Sequence, residues 1–487
     1  MPPALELRGI HKTFGSVTAL AGVDFTLEAG EVHALLGENG AGKTTLMRIA
    51  FGLLRPEAGR IVIEGEQAAL RDPGDARRLG LGMVHQHFTS IPAFTVAENV
   101  MLAGGWRCSL AEAVARTRRL GESSGFAVDP APRVGDLSAG VKQRLEVLKA
   151  LAADARILLL DEPTSVLSPP DGEELLRQLR QLKARGVSSV LITHKLREAL
   201  AIADRVTVLR HGRVAFSGPV AGQTAESLAT HMLGEPAVPV TIRQPVPADA
   251  RGEVVVRLEA VTVSRLDAGG SGLTDATLRL GAGELVGLAA VEGNGQRELF
   301  RVIAGLAVPM RGAVHAQGPV SFIPEDRTAE ALLEEFSLTE NLVLSQRGTA
   351  PWVRGPWVRW GEAGARTTEL IAAFGVRAPG AGATAGSLSG GNQQRMLIAG
   401  ALERRPRVLL AENPTRGLDL KAAAEVMRRL SDAARDGVGV LVHLPDLDEL
   451  LGLVDRVIVL YGGRVLEVAP GTGREEIGRL MLEGRRP

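Results

Sequence analysis

Residues 37–44 read GENGAGKT. They follow the apolar run EVHALL (31–36) and precede KTTLMRIAFGLL (43–54), whose apolar residues recur at the spacing of one buried helix face. This order of strand, glycine-rich turn and helix matches G-x-x-x-x-G-K-[ST], and it predicts a loop that binds nucleotide phosphates. Glycines let backbone N–H groups curl around phosphate oxygens. We expect Lys43 to reach the β- and γ-phosphates and the Thr44 hydroxyl to bind Mg²⁺.

A second chemical motif, DEP at 161–163, follows the apolar run ILLL. A buried parallel strand that ends in Asp161 and Glu162 places one carboxylate near a metal ion and the next near an attacking water molecule. The sequence therefore predicts Asp161 as a ligand of Mg²⁺ or of its water. It predicts Glu162 as the group that polarises the nucleophile.

Four blocks of sequence occur twice, in the same order, at offsets of 253, 251, 251 and 251 residues. The pairs are KTTLMRIAFGLL (43–54) with QRELFRVIAGL (296–306), LSAGVKQR (137–144) with LSGGNQQR (388–395), ILLLDEPTS (157–165) with VLLAENPTR (408–416), and ADRVTVLRHGRV (203–214) with VDRVIVLYGGRV (454–465). This indicates a duplicated domain. Four prolines mark the junction, so we expect domains at 1–233 and 253–487 joined by a proline-rich linker at 234–252.

The pattern within each half alternates apolar, β-branched strand segments with helical segments, which is typical of an α/β fold with a mostly parallel sheet. The helix after the glycine-rich turn is predicted to continue through Leu54 and to stop before Pro56.

Composition excludes several classes of protein. Lys plus Arg and Asp plus Glu are 56 each, so the formal net charge is zero and a strongly basic nucleic-acid-binding surface is not indicated. The single cysteine, Cys108, cannot form an intrachain disulfide. The sequence has no run of about 18 apolar residues that would span a membrane, and its N-terminus does not resemble a signal peptide.

Taken together, GENGAGKTT, LSAGVKQR, DEPTS and THK (193–195) resemble an ABC-type ATPase. The resemblance covers essentially the whole chain, once in each half. It implies two tandem ABC-type ATPase domains. Each would have a RecA-like parallel-sheet core, an antiparallel β subdomain and a helical subdomain. It also implies that the chain binds ATP and Mg²⁺.

The resemblance assigns roles to individual residues. Phe14 would stack on adenine, and Gln86 and His194 would contact the γ-phosphate, with Gln86 also sensing the metal. The catalytic residues would be Glu162, His194, Gln86 and Lys43, and the metal ligands would be Thr44, Gln86 and Asp161. The remaining residues expected around ATP are Gly37, Glu38, Asn39, Gly40, Ala41, Gly42 and Thr45.

ABC domains act as head-to-tail pairs, so the resemblance implies two composite sites. The site with the intact first loop would be completed by Ser389, Gly390, Gly391 and Asp419 of the second half. The other site carries these replacements: Gln296 for Lys43, Arg297 for Thr44, Glu412 for Asp161, Asn413 for Glu162, Glu325 for Gln86 and Pro445 for His194. Its signature has Ala139 in place of a glycine, and Ser168 stands where the second half has Asp419. We expect the first site to hydrolyse ATP and the second to be degenerate.

Within the family, the degenerate second loop with IPEDR (323–327) and NPTRGLD (413–419) is similar to ATP-binding subunits of monosaccharide and nucleoside importers. MVHQHF (83–88) and LSAGVKQRLEVLKAL (137–151) favour the nucleoside branch. The partners would be two transmembrane permease subunits and, through the complex, an extracytoplasmic solute-binding protein, with no nucleic acid. The chain would lie peripherally on the cytoplasmic face of the inner membrane.

Two other functions stay open from the sequence. A tandem ABC protein that acts on ribosomes or nucleic acid is one, and a nucleotide-binding scaffold without turnover is the other.

Two segments have open interpretations. The segment HFTSIPAFTVAENV (87–100) either docks a permease helix through Phe88, Ile91 and Phe94 or packs these residues inside the helical subdomain. The segment PWVRGPWVRW (351–360) is either a loop at lipid headgroups or an insertion that packs on its own domain.

Overall fold

In a computed structural model, the chain divides into a first unit, Met1–Val238, and a second unit, Pro239–Pro487. Each unit is built from alternating strands and helices. The structure describes residues 2–15, 17–38, 40–86, 88–165, 167, 169–234, 252–266, 270–346, 352–355, 357–418 and 420–484. The predicted site residues Asn39 and Asp419, Ser168, and nearly all of the predicted linker lie outside these ranges.

The described elements of the first unit are ten strands and eight helices. The strands are β1 Leu5–Phe14, β2 Val17–Leu27, β3 Val32–Gly37, β4 Ala58–Ile63, β5 Glu66–Ala68, β6 Leu81–Val84, β7 Ile157–Asp161, β8 Ser188–Ile192, β9 Arg205–Arg210 and β10 Arg213–Pro219. The helices are α1 Lys43–Ala50, α2 Pro73–Arg78, α3 Val96–Ala103, α4 Leu110–Ser124, α5 Ala139–Ala152, α6 Pro169–Ala184, α7 Leu196–Ile202 and α8 Ala225–Leu233.

The central sheet of the first unit has the order β10-β9-β3-β8-β7-β6 and is parallel except for β10. Every residue of β3, β7 and β8 is buried, as expected for strands covered on both faces. Because β3, β8, β7 and β6 are consecutive neighbours, their carboxyl ends lie at one edge of the sheet. The glycine-rich loop, His194, Glu162 and Gln86 all follow these ends.

Two smaller subdomains complete the first unit. An antiparallel sheet of order β2-β1-β4-β5 shares an apolar core with α1. The helices α3, α4 and α5 pack together around Phe126, Val100 and Leu145.

The described elements of the second unit repeat this plan. The strands are β11 Val254–Val263, β12 Leu273–Gly281, β13 Leu285–Ala290, β14 Arg311–Ala316, β15 Val320–Ile323, β16 Val353–Arg354, β17 Trp357–Val358, β18 Val408–Glu412, β19 Gly439–His443, β20 Arg456–Tyr461 and β21 Arg464–Glu467. The helices are α9 Gln296–Ile303, α10 Arg327–Glu330, α11 Leu338–Ser345, α12 Trp360–Ala373, α13 Gly390–Glu403, α14 Leu420–Arg435, α15 Leu447–Leu453 and α16 Arg474–Glu483.

The second central sheet has the order β15-β18-β19-β13-β20-β21, again parallel except for its last strand. An antiparallel sheet, β12-β11-β14, and the helices α11, α12 and α13 stand beside it. The architecture confirms the predicted α/β class: each half has a parallel-sheet core, an antiparallel β subdomain and a helical subdomain. Within the described ranges, none of the helices combines the length and the apolar character that a membrane crossing requires.

The predicted end of the first helix is wrong. Helix α1 ends at Ala50, where Gly52 adopts a left-handed conformation with φ 76°. The N–H groups of Gly52 and Leu53 donate to the carbonyls of Ile49 and Arg48 at 3.1 and 2.8 Å, which is the Schellman pattern of a glycine-terminated helix. Leu53 is consequently exposed.

Candidate nucleotide-binding site

The glycine-rich loop turns from β3 into α1 through positions that only glycine fits. A Cβ atom at Gly37 would collide with the carbonyl oxygen of Leu209, and one at Gly42 would lie 2.6 Å from that of Ala19. Gly42 also has φ 105° and directly precedes α1. Since the first-turn N–H groups of a helix have no intrahelical partner, α1 presents donors where this loop ends.

Lys43 is the cation of the loop and is only 6% exposed. Its ammonium group donates to the carbonyl oxygens of Gly37 at 2.7 Å and Glu38 at 2.9 Å. Burial lowers the pKa of Lys43, although the nearby carboxylates of Glu162 and Asp161 oppose that shift. The loop therefore holds the end of the Lys43 side chain in place with its own carbonyl groups.

Thr44 and Asp161 bring a hydroxyl and a carboxylate together. Thr44 Oγ1 donates to Asp161 Oδ1 at 3.3 Å, and burial raises the pKa of Asp161. These oxygen donors suit Mg²⁺, which is usually held by one or two carboxylates together with substrate phosphates. In the part of the chain that the structure describes, no cluster of three or more His, Cys, Asp or Glu residues could hold a metal alone. The residues fit a metal ion that arrives with a nucleotide.

Glu162 lies between two of the predicted partners. Gln86 Nε2 donates to its Oε2 at 3.2 Å, and His194 Nδ1 lies 3.1 Å from its Oε1. Burial alone would raise the pKa of Glu162, but the hydrogen bond and charge of His194, together with Lys43, bring that pKa below its ordinary value. The carboxylate is therefore ionised at neutral pH, as a general base requires.

The backbone at Glu162 is strained. Its φ is 46°, a left-handed conformation that costs a non-glycine residue roughly 1–2 kcal/mol. Asn413 occupies the equivalent turn after β18 with φ 43°, and asparagine tolerates this region better than glutamate does. A glutamate kept at a strained position points to a chemical role for its side chain.

Phe14, Ala41 and Thr45 are further first-half residues that are predicted to lie around ATP. Phe14, at the end of β1, is 49% exposed, with the Lys12 ammonium 5.6 Å from its ring centroid. The Ala41 N–H donates to the Glu38 carbonyl at 3.1 Å, and Thr45 lies in the first turn of α1.

The second unit keeps the shape of the loop but not its chemistry. Gly295 precedes α9 with φ 103°, and Gln296 occupies the first position of that helix, as Lys43 does in α1. The Gln296 side chain is buried, and its Oε1 atom has no hydrogen-bond partner among the residues that the structure describes. An uncharged amide thus stands where the first unit has its ammonium group.

Ion pairs join the second loop helix to neighbouring segments. Glu330 pairs with Arg297 at 3.0 Å and with Arg301. Arg301 also lies 3.6 Å from Glu412, whose pKa burial raises to about 7. A set of protein charges therefore occupies the region that corresponds to the predicted metal ligands of the first unit.

The residues that replace the other predicted catalytic groups are also bonded within the protein. Glu325 accepts from Asn413 Nδ2 at 3.2 Å and from Arg416 at 2.8 Å. Pro445 follows β19 at the position that His194 has after β8. His443 is buried, and its Nδ1 lies 2.9 Å from the Leu288 carbonyl oxygen, so it is a core residue.

Both signature segments begin a helix with serine. Ser389 precedes α13 and its Oγ accepts from the Asn392 side chain at 2.9 Å, whereas Ser138 precedes α5 and accepts from the Val141 N–H at 3.5 Å. Gly390 and Gly391 are the first residues of α13, so their N–H groups lie at a helix N-terminus.

Sequence reasoning missed two polar clusters beside these sites. In the first unit, the buried Glu146 accepts from Thr89, Ser90 and Lys149 and so ties the segment after Gln86 to α5. In the second unit, Arg327 bonds to α13. The arginine of IPEDR was the only sequence signal for that contact.

Comparison with known proteins assigns the chain to a family. The family model described as "ABC transporter" matches residues 20–165 and 273–416. The chain is 38% identical to the glucose import ATP-binding protein TsgD13 of Haloferax volcanii, over 99% of this chain and 96% of that protein. It is 36% identical to the nucleoside import ATP-binding protein NupA of Lactococcus lactis subsp. cremoris, over 99% and 98%.

The chain belongs to the ABC transporter family. A solved complex of the archaeal ribosome recycling factor aABCE1 with ribosomal stalk protein aP1 has a TM-score of 0.66 at 20% identity, and the match covers 94% of this chain and 89% of that one. At this identity the likeness supports the fold alone.

Two segments of this ABC transporter protein had open interpretations. Ile91 and Phe94 are 37% and 41% exposed and Phe88 is half-buried, so the first segment is only partly packed inside the helical subdomain. In the described part of the second segment, Trp352 is buried, whereas Trp357 and Trp360 are exposed.

Proposed function

We propose that this chain is the ATP-hydrolysing subunit of an importer for a nucleoside or a simple sugar. The resemblance of its motifs to nucleoside-type importers and the names of its full-length relatives support this function. Two transmembrane permease subunits would carry the solute, and an extracytoplasmic solute-binding protein would deliver it to them. The chain itself would act at the cytoplasmic face of the membrane, bound to the permeases.

The first-half residues divide the work of hydrolysis. Lys43 and the N–H groups at the start of α1 bind the phosphates and offset their charge. Glu162 accepts a proton from the attacking water, and His194 and Gln86 orient the Glu162 carboxylate through their hydrogen bonds. Mg²⁺, held by oxygen atoms of Thr44, Asp161 and Gln86, would supply positive charge to the phosphate oxygens.

The second half has a different task in this proposal. Its signature turn, Ser389, Gly390 and Gly391, together with Asp419, completes the first-half ATP site. Its own loop lacks the ammonium group and the carboxylate base, and so it forms a degenerate site without turnover. Exposed Ile91 and Phe94 support a permease-docking role for the segment after Gln86.

A single observation carries the proposal. Of the two equivalent turn residues, Glu162 and Asn413, only Glu162 has a carboxylate. That carboxylate contacts the imidazole of His194 and the amide of Gln86. We expect Glu162→Gln to lower the ATP hydrolysis rate about 10²- to 10⁴-fold while ATP binding persists. We expect Asn413→Glu to leave the rate near that of the wild type. Steady-state ATP hydrolysis by the purified chain measures both.

Wild-type hydrolysis by the Glu162→Gln variant would contradict the proposal. A wild-type chain that binds ATP but never hydrolyses it, alone or with its co-purified membrane subunits, would favour the scaffold instead. Co-purification with ribosomes rather than with membrane proteins would favour the ribosomal alternative.

A further inference from the structure

The segment 325–330 of the second unit is fixed at both ends by charged groups. At its start, Glu325 accepts from Arg416 and Asn413, which follow β18. At its end, Glu330 pairs with Arg297 and with the largely buried Arg301, both on α9. The segment is thereby attached to the core of its unit through protein groups alone.

Arg327 extends from this fixed segment to the signature helix. Its Nε donates to Gln393 Oε1 at 3.1 Å, and its Nη1 donates to the Arg416 carbonyl at 3.3 Å. Gln393 lies in the first turn of α13 and is buried, and its Nε2 donates to the Ala385 carbonyl at 3.1 Å. Both ends of the Gln393 amide are therefore engaged, and its oxygen must face Arg327.

The signature glycine is shaped to receive this arginine. A Cβ atom at Gly390 would lie 2.5 Å from Nη2 of Arg327, so the guanidinium group packs closely on the glycine backbone. In the first half, the equivalent positions carry Phe88 and Ala139. The phenylalanine side chain has no hydrogen-bond donor. The arginine and the first signature glycine therefore occur together in the same half.

We propose that Arg327 is a positioning residue that holds the signature turn of the second half in its working form without any nucleotide in that half. The proposal rests on the proposed function, because it assumes that this turn completes the first-half ATP site. In the first half, Thr89 and Ser90 bond to Glu146, which lies further along α5, whereas Arg327 bonds to the first turn of α13. The degenerate half thereby presents Ser389, Gly390 and Gly391 in a fixed arrangement.

The test combines hydrogen exchange with kinetics on the full chain. In the nucleotide-free Arg327→Met variant, we expect the amides of Asn392 and Gln393, which donate to the Ser389 carbonyl at 2.9 and 3.0 Å, to exchange about tenfold faster, because the opening equilibrium loses a charge-assisted hydrogen bond. The KM for ATP should rise severalfold, since ATP must then order the turn, and kcat should change less than KM. The conservative variant Arg327→Lys, which keeps a donor, should restore part of both effects.

Arg435→Met is the matched control. Arg435 pairs with Asp432 at 3.0 Å within α14, and its side chain is 52% exposed. This variant should leave the exchange of the Asn392 and Gln393 amides and the KM unchanged. The Gln393→Met variant removes the acceptor instead of the donor and should reproduce the Arg327→Met result.

Unchanged exchange of the amides of residues 392 and 393 in both Arg327→Met and Gln393→Met overturns the proposal, as does faster exchange with an unaltered KM. A loss of kcat at constant KM would also overturn it, because Arg327 would then act in the chemical step. Absence of ATP hydrolysis in the wild type would contradict the proposed function instead. The exchange measurement needs no ATP and separates the two failures.

Discussion

The two halves differ in charge at equivalent buried positions. Lys43 is a buried cation that accompanies Asp161 in the first half, and the uncharged Gln296 accompanies Glu412 in the second. Gln296 supplies no charge at the start of α9. Glu412 instead pairs with Arg301 at 3.6 Å, and the charges of Glu325, Arg297 and Glu330 also affect its pKa. Burial prevails over these charges, and the carboxyl group titrates near neutral pH.

This titration predicts a pH dependence of stability. Burial raises the pKa of Glu412 from 4.5 to about 7, so the folded state binds a proton more tightly than the unfolded state. The stability that this protonation provides is present at low pH and is lost as the pH rises from about 4.5 through about 7. Glu412→Gln should therefore gain unfolding free energy over the wild type at pH 8, on the order of 1 kcal/mol, and less at pH 5. Urea unfolding across this range measures the difference, and a gain independent of pH would contradict the assignment.

The turn between β3 and α1 shows how a local backbone requirement produces a binding surface. Close approach of neighbouring carbonyl groups demands glycine at 37 and 42, and the same glycines leave the helix N-terminus open to phosphate. The equivalent turn before α9 keeps a glycine at 295 with nearly the same φ as Gly42. The second unit thus keeps the glycine turn before α9, although Gln296 stands where α1 has Lys43.

Gly42→Ala should disrupt this turn. The new Cβ would meet the Ala19 carbonyl at 2.6 Å in a left-handed backbone, at an expected cost of roughly 2–5 kcal/mol and with loss of ATP binding. Gly30→Ala is the control, because Gly30 also has a positive φ of 72° but no atom within 4 Å of the place that the added methyl group would take. It should cost about 1 kcal/mol and leave ATP binding intact. Thermal unfolding and equilibrium nucleotide titration measure both, and equal losses in the two variants would refute the steric argument.

Over the full chain, the two halves carry different parts of the proposed ATP site. The predicted catalytic groups are in the first unit, and the full LSGGNQQR signature is in the second. The residues that replace catalytic groups in the second unit, Glu325, Asn413 and Glu412, take part in interactions with its arginines or with each other. In the second unit, contacts within the protein take the place of those that the corresponding first-unit residues are proposed to make with a nucleotide.

This division predicts unequal effects of one substitution in the two signatures. Ser389→Glu would place a carboxylate at the turn that is proposed to face the γ-phosphate, and kcat should fall by about 10²-fold or more. Ser138→Glu makes the same change at the start of α5, which is proposed to face the degenerate site, and kcat should stay within a fewfold of the wild type. ATP hydrolysis by the two folded variants measures the contrast, and a greater loss in Ser138→Glu would reverse the assignment of sites.

The fold and the first-half loop were predictable because their signals are local. Hydrophobic strands, the glycine-rich turn and repeated blocks of sequence identify them, and the same register places Gln296 and Asn413 opposite Lys43 and Glu162. The arginine contacts were not predictable. Arg327 meets Gln393 across 66 positions and the Arg416 carbonyl across 89, and periodicity does not report which charged side chains meet after folding. The end of α1 before Gly52 was not predicted, because Pro56 was the stronger helix-terminating signal in the sequence.

The backbone conformation at Glu162 has a consequence for engineering this protein. A screen for heat resistance alone would select asparagine or glycine there, since either residue relieves a φ of 46°, and the same change would remove the carboxylate that is proposed to act as the general base. Selection for robustness and selection for turnover therefore oppose each other at this one position. The second half already carries, in Asn413, the residue that robustness favours.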